Sequence, residues 1–343
     1  MYFGGKSRCA NLIWRALGDV RNYVEPFFGS GAVLLARPRP FRGTETVNDA
    51  CQFVENFWRA VQAEPDTVAK WLDWPVNETR LEAVHKWLVT AARKEEHARR
   101  MKDEMGYYDP KIAGLWCWGL CAWIGKGWCA GAWYGPDDER NAGTGVNVRD
   151  KQRGGKRPHL NRGQGIHKQR PHLGDAGQGV HKQLQHLGDA GQGECVRRLE
   201  VLVNWMRQLR DRLRNVRVCC GDWSRVCTHT PTSNLGLTGI FLDPPYSDAA
   251  GRDENIYARE SLTVAHDVRA WCLQRGCDKD MRIVLAGYEG EHEELEVNGW
   301  RVESWTANGG YGVQSGNGEY TNKYKERLWM SPACVDVERR LFV

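Results

Sequence analysis

Asp243-Pro244-Pro245-Tyr246 directly follows Thr238-Gly-Ile-Phe-Leu242, a short apolar run with the composition of a buried strand. The carboxyl end of such a strand is where open α/β sheets place their ligand crevice. Two consecutive prolines fix the backbone and remove two amide donors, leaving carbonyls aimed outward. A carboxylate beside a rigid carbonyl can accept both hydrogens of an exocyclic amino group, and the tyrosine can stack on the flat ring that bears it. The competing reading is an accidental strand-to-turn tetrapeptide.

The second constellation is Glu25-Pro26-Phe27-Phe28-Gly29-Ser30-Gly31. Glycines at a strand-to-helix turn let a ligand approach the backbone, and a helix N-terminus favours its negative end. Gly-x-Gly alone is weak. Asp49 comes eighteen residues after Gly31, at the end of a second strand, and supplies a partner for ribose hydroxyls. The missing third glycine argues against a nicotinamide dinucleotide.

The elements that position these groups alternate strand and helix. Asn22 to Pro26 is a strand that breaks into the glycine turn, and Ala32 to Ala36 is helix-like. Glu45-Thr46-Val47 is a strand ending at Asn48-Asp49, and Cys51 to Ala63 has helical spacing. Helical patterning continues to about Met105. After residue 195 the pattern returns with a helix at Val196 to Leu213 and strands at Val216 to Cys220, Thr238 to Leu242 and Arg282 to Ala286. Another helix covers Val264 to Leu273.

Between these halves the character changes. Gly106 to Gly135 interleaves Trp116, Trp118, Trp123, Trp128 and Trp133 with glycine and cysteine, a stripe that reads most simply as core. None of the 12 cysteines forms a Cys-x-x-Cys pair, so buried reduced thiols are expected. A zinc site from Cys117, Cys121 and Cys129 is the competing reading. Residues 149–193 carry nine Lys and Arg against three acids, five of the ten histidines and no aromatic residue. They form a degenerate repeat of about 14 residues, too polar to build a core alone. The segment is a solvated insert, a histidine-rich metal binder, or an arm whose Lys, Arg and Gln follow a phosphate chain. The chain as a whole carries a net charge of +5 and 41% hydrophobic residues, which permits a core and excludes wholesale disorder. Its longest uncharged apolar run, Ile112 to Gly125, is too short to cross a bilayer. The N-terminus lacks a signal-peptide stretch.

Taken together, these residues resemble the D12-type, Dam-like DNA adenine N6-methyltransferases. Gly4-Gly5-Lys6, preceded by Tyr2 or Phe3, is similar to the family's N-terminal motif. Glu25 to Gly31 resembles its S-adenosylmethionine loop and Asp243 to Tyr246 its catalytic motif. Asn308-Gly309-Gly310 with Lys325-Glu326-Arg327-Leu328 resembles its closing segment. In relatives that methylate glutamine or ribosomal guanine, a separate domain precedes the glycine loop and the catalytic motif comes soon after it. Here Asp243 comes 212 residues after Gly31, room for a target-recognition domain, which favours DNA.

The resemblance implies an α/β fold, a Rossmann-like class I methyltransferase sheet with helices on both faces, interrupted by a large insertion. Residues 1–55 and 196–343 would form the catalytic domain. Residues 56–195 would form the target-recognition insertion, including the basic arm at 149–193. Tyr2, Lys6, Glu25, Phe27, Gly29, Gly31, Asp49 and Asp243 would line the S-adenosyl-L-methionine site, with Asp222 and Trp223 holding its adenine. Asp243, Pro244, Pro245 and Tyr246 would act on an adenine flipped out of double-stranded DNA. No metal is required. The family's recognition hairpin for GATC, roughly Tyr-Asn-Gly-Leu-x-Arg, has Cys117-Trp118-Gly119-Leu120-Cys121-Ala122 as its nearest counterpart. Trp118 and Ala122 replace its asparagine and guanine-reading arginine, so the expected target is not GATC, or is relaxed. Trp118, Lys126, Arg140, Arg149, Lys156, Arg157, Lys168, Arg170 and Lys182 are the candidate DNA contacts. A monomer, dimerising at most transiently on DNA, is expected in the cytoplasm of a bacterial or phage-infected cell. An RNA adenine N6-methyltransferase and a catalytically silent DNA-binding protein are the alternatives.

Overall fold

The computed structural model describes residues 6–123, 128–129, 195–245, 264–305 and 325–336. Its strands are β1 (Asn22–Glu25), β2 (Thr44–Asp49), β3 (Val216–Cys220), β4 (Thr238–Leu242), β5 (Met281–Tyr288), β6 (Arg301–Ser304) and β7 (Glu326–Met330). They form one sheet in the order β3-β2-β1-β4-β5-β7-β6. β1 to β5 run parallel, whereas β7 is antiparallel to both β5 and β6. A seven-stranded, mostly parallel sheet of this kind is consistent with a methyltransferase fold. Asn22 registers with Thr44 on one side and Thr238 on the other, so early and late segments of the chain share the sheet's centre.

The helices, in chain order, are α1 (Ala10–Leu17), α2 (Ala32–Leu35), α3 (Gln52–Ala63), α4 (Pro65–Leu72), α5 (Glu78–Val89), α6 (Ala91–Asp103) and α7 (Pro110–Ala122). Later in the chain come α8 (Cys195–Leu213), α9 (His229–Ser233), α10 (Val264–Arg275) and α11 (Glu293–Val297). Side chains alternate across a strand, and both faces here are covered. Tyr23, Phe241, Val284 and Leu328 join an apolar cluster with α1, α3 and α8. Val24, Ile240, Leu285 and Trp329 join a second cluster with α10, α11 and the turn at Trp223–Val226. Continuous apolar strands such as β4, buried at all five positions, result from that double cover.

Thr238–Leu242 and Val216–Cys220 match the sequence expectation residue for residue. The tryptophan stripe is partly a helix. Asp109 caps α7 by accepting from the Ile112 N–H at 2.9 Å, Pro110 opens it, and Trp116 and Trp118 are buried. α4 and α7 pack with α3 and α8 in the same apolar cluster as the first sheet face. The domain boundary expected at residue 55 therefore falls inside α3. Cys117 and Cys129 are buried and Cys121 half-buried, and none of the three is in a disulfide. No helix of the described residues is long and apolar enough to cross a membrane.

Candidate active site

β1, β2, β3 and β4 all end at the same edge of the sheet, in Glu25, Asp49, Cys220 and Leu242. The loops that leave these four strands therefore converge on one crevice. From β1 the chain enters the glycine turn, which β2 locks from the side. The Phe28 N–H donates to Asn48 O at 2.9 Å. The Gly29 N–H donates to Asp49 Oδ2 at 2.9 Å, and the Cys51 N–H donates to Asp49 Oδ1 at 2.8 Å. Asn48 ties the turn to the end of β3 by donating to Pro26 O and Gly221 O, both at 3.0 Å. Half-buried, Asp49 has its carboxyl pushed up to about 6 by burial, against the pull of its two N–H donors.

Gly31 lies at φ 66°, and a Cβ there would sit 2.9 Å from the Phe28 ring and 3.1 Å from Trp58. Gly31→Ala is expected to destabilise the fold by about 1–3 kcal/mol through strain and crowding. A lower thermal unfolding midpoint would show this; an unchanged one would mean the turn tolerates a side chain. The helix after the turn, α2, has only four residues. The helix N-terminus expected from the sequence to favour a negative ligand is therefore too short to supply a macrodipole.

From β4 the chain enters Asp243. Its Oδ1 lies 2.8 Å from Lys6 Nζ, with the two side chains 18% and 4% exposed. Burial raises the Asp243 carboxyl above its ordinary value, and Lys6 opposes the shift through charge and hydrogen bonding. Pro244 is buried and Pro245 half-buried. Glu25, 2% exposed, accepts from Tyr23 Oη at 2.8 Å, and burial holds its carboxyl well above the usual range. On the other flank, Phe27 stacks on buried Trp223 at a centroid distance of 6.2 Å and 26°. Asp222 is exposed and caps the turn by accepting from the Ser224 N–H at 2.9 Å and from its hydroxyl.

Lys6, Glu25, Phe27, Gly29, Gly31, Asp49, Asp222, Trp223, Asp243, Pro244 and Pro245 thus all lie in or beside the loops of one sheet edge. Trp118 does not. It is 2% exposed in α7, with its indole N–H donating to Trp74 O at 2.6 Å, so it is a core residue and cannot present its ring to DNA. Tyr2, Tyr246, Lys126, Arg140, Arg149, Lys156, Arg157, Lys168, Arg170 and Lys182 lie outside the described residues. So do Gly4, Gly5, Asn308 to Gly310 and the repeat at 149–193.

Three neighbours of Lys6 carry no local signal in the sequence. Its Nζ stands 5.8 Å from the centroid of Trp305, its carbonyl accepts from Cys9 Sγ at 3.4 Å, and the buried Glu326 adds its charge around Cys9. Burial pushes the Cys9 thiol up; Asp243 and Glu326 reinforce that and Lys6 opposes it. Glu326 opens β7 opposite Tyr288 of β5, a pairing no local pattern reveals.

The donor set bears on what the crevice can hold. Among the described candidates the crevice holds one cation, Lys6, against the carboxyl groups of Asp49, Asp222 and Asp243, with Glu25 buried beneath them. That excess of acceptors suits a ligand with hydroxyl or amino donors and positive charge, and would repel a pyrophosphate. S-adenosylmethionine, with its ribose hydroxyls, amino group and sulfonium, fits it. No curated protein matches the chain. The segment that carries Lys6, the glycine turn and Asp49 does match a family model: residues 2–108 are similar to the D12 class N6 adenine-specific DNA methyltransferases.

Proposed function

We propose that the protein transfers a methyl group from S-adenosylmethionine to the N6 amino group of an adenine flipped out of duplex DNA. The observation that carries this reading is the Lys6–Asp243 pair. It joins the matched N-terminal segment to the Asp-Pro-Pro turn at the end of β4, across the mouth of the glycine loop's strand. Residues 1–55 and 196–343 form the catalytic part in this reading. Residues 56–195 supply target recognition, and the basic arm at 149–193 adds sequence-independent affinity.

Lys6 opposes the upward pull of burial on the Asp243 carboxyl and fixes its orientation. Asp243 and the Pro244 carbonyl accept the two hydrogens of the adenine amino group, which turns the nitrogen lone pair outward. Pro244 and Pro245 keep that carbonyl in place without competing amide donors. Tyr246 stacks on the extruded ring and offsets part of the unstacking cost of a few kcal/mol. Asp49 accepts from the ribose hydroxyls, while Phe27 and Trp223 provide the apolar wall beside the purine. When bound, the cofactor supplies a methyl already made electrophilic by its sulfonium, so alignment accounts for most of the rate.

Asp49 makes cofactor affinity pH-dependent. Its carboxyl in the folded protein titrates at about 6, above the ordinary 3.8. Above that value it is a charged acceptor; below it, it is protonated and a weaker one. The cofactor dissociation constant is therefore expected to rise as pH falls from 7 through 6 to 5, and Asp49→Asn should flatten the profile. Calorimetric titrations across that range check it, and a wild-type profile as flat as the variant's contradicts it.

Incubation of the protein with S-adenosylmethionine and duplex DNA or structured RNA, followed by nucleoside analysis, tests the activity itself. N6-methyladenine in the DNA is the expected product. Methylation confined to RNA, or none at all from folded protein, would replace this reading by one of its two alternatives.

A further inference from the structure

We propose that the end of the sheet opposite the crevice is a second contact surface for the DNA backbone, built from Arg21, Arg39, Arg42, Arg214 and Arg217. The choice of ligand rests on the DNA reading of the crevice; the surface itself rests on charge and geometry. All five arginines are exposed, and among the described residues none of them pairs with an acid. Most acids at this end are already engaged. Asp211 is bound to Arg210 at 2.8 Å, Glu45 to Arg37 and Arg212, Asp278 to Arg275 at 3.3 Å and Asp336 to Arg301 at 3.0 Å, while Asp19 before β1 and Asp280 before β5 are exposed.

Three of the arginines are placed by the sheet. Arg21 immediately precedes β1, Arg42 precedes β2 by one residue (Gly43), and Arg214 precedes β3 by one (Asn215). These three strands are neighbours in the sheet. Neighbouring strands lie about 4.8 Å apart, so the three arginines span roughly 10 Å in a row. The Thr44 N–H donates to Arg21 O at 2.9 Å, which fixes the first two together. Gly43 makes this possible: at φ 124° it lets the chain pass where a Cβ would run into the Arg21 carbonyl oxygen.

The loop carrying Arg39 and Arg42 is anchored from beneath. Arg37 donates to Glu45 at 3.0 Å and to Val20 O at 2.6 Å; Arg212 donates to Glu45 at 2.7 and 2.8 Å and to Leu34 O at 2.8 Å. The Phe41 ring lies 4.2 Å from the Arg37 guanidinium and 4.9 Å from that of Arg212. Pro38 and Pro40 restrict the backbone on either side of Arg39. The exposed guanidiniums are thus held on a pinned loop, and little ordering entropy is lost when they bind. A guanidinium fork matches phosphate oxygens in pairs, and a row of them matches a chain of phosphates better than a single small anion.

β2 runs between this edge and the crevice, and its six residues span about 20 Å at 3.3 Å per residue. A duplex lying along the arginine row is therefore a different stretch of DNA from the one whose base enters the crevice. The row would hold a second segment without reading its sequence.

The test is fluorescence anisotropy of the full chain, without cofactor, on a long duplex over a salt series. It compares wild type with the triple variant Arg39→Glu, Arg42→Glu, Arg214→Glu and with the single variant Arg214→Gln. The triple variant is expected to bind about tenfold more weakly, with the slope of log affinity against log salt reduced by about 0.9 per contact removed. Arg214→Gln should lower the slope by about one such step, which keeps the test valid if the triple variant unfolds at a lower temperature. Unchanged affinity and slope in both variants would overturn the proposal. So would loss of binding to RNA or an acidic polypeptide with DNA binding intact. Because no methyl transfer is measured, failure of the proposed activity leaves this result standing, and the reverse.

Discussion

Replacing Asp243 with alanine is expected to lower the methyl-transfer rate by about a thousandfold or more while leaving DNA affinity within about twofold. Among the described residues this carboxylate is the acidic group at the end of β4, and it is held by Lys6 at 2.8 Å. Alanine removes both the acceptor for the adenine amino group and the partner that orients it. Lys6 loses its carboxylate and retains the Trp305 ring at 5.8 Å, so the thermal midpoint is read beside the rate. Asp243→Asn preserves shape and one acceptor but cannot neutralise Lys6, and should fall between alanine and wild type. Labelled-methyl transfer under single-turnover conditions, beside equilibrium DNA binding, separates chemistry from affinity. Turnover unchanged in Asp243→Ala would remove this residue from the catalytic role.

The largest expected effect on stability lies at the other end of the sheet. Glu45→Ala should destabilise the protein by about 3–5 kcal/mol, because it leaves the guanidiniums of Arg37 and Arg212 buried with only carbonyl partners. Their side chains are 2% and 7% exposed, so water cannot replace the lost carboxylate. Glu45→Gln retains the acceptor oxygen without the charge and should lose less. Replacing all three residues by apolar ones of similar volume should recover much of the loss, since a buried ion network contributes little net stability once desolvation is counted. Thermal denaturation checks the series. A Glu45→Ala midpoint within about 2 °C of wild type would contradict the buried-network account.

The features legible in the sequence are local ones. β4 can be read to the residue because burial on both faces makes it uninterrupted Thr-Gly-Ile-Phe-Leu between polar turns. The glycine turn and Asp49 can be read because a strand, a turn and a second strand succeed one another within thirty residues. α1 carries Ile13, Trp14 and Leu17 on one buried face and ends at Gly18 with φ 63°, but its eight residues hold too few turns for the period to stand out. β6 is hidden because Arg301, Glu303 and Ser304 leave only Val302 to mark an edge strand.

The rest depends on contacts between distant parts of the chain. Lys6 and Asp243 meet only when β4 is laid beside β1, and Glu326 reaches the same region only through β7. A buried charge in an otherwise polar segment looks like surface until its partners are known. Trp118 is misplaced by the sequence for a different reason. Its resemblance to a motif sets it in a recognition hairpin, whereas Asp109 and Pro110 ahead of it are the start signals of a helix. The helix turns that indole toward Trp74, in the core.

The most direct test of methyl transfer to adenine is long-read modification sequencing of DNA from a methylation-deficient bacterial host that expresses the protein. The expected result is N6-methyladenine, at a defined motif or spread over related contexts, and its disappearance with Asp243→Ala. Unmodified adenine throughout the DNA of a host producing folded protein would contradict it.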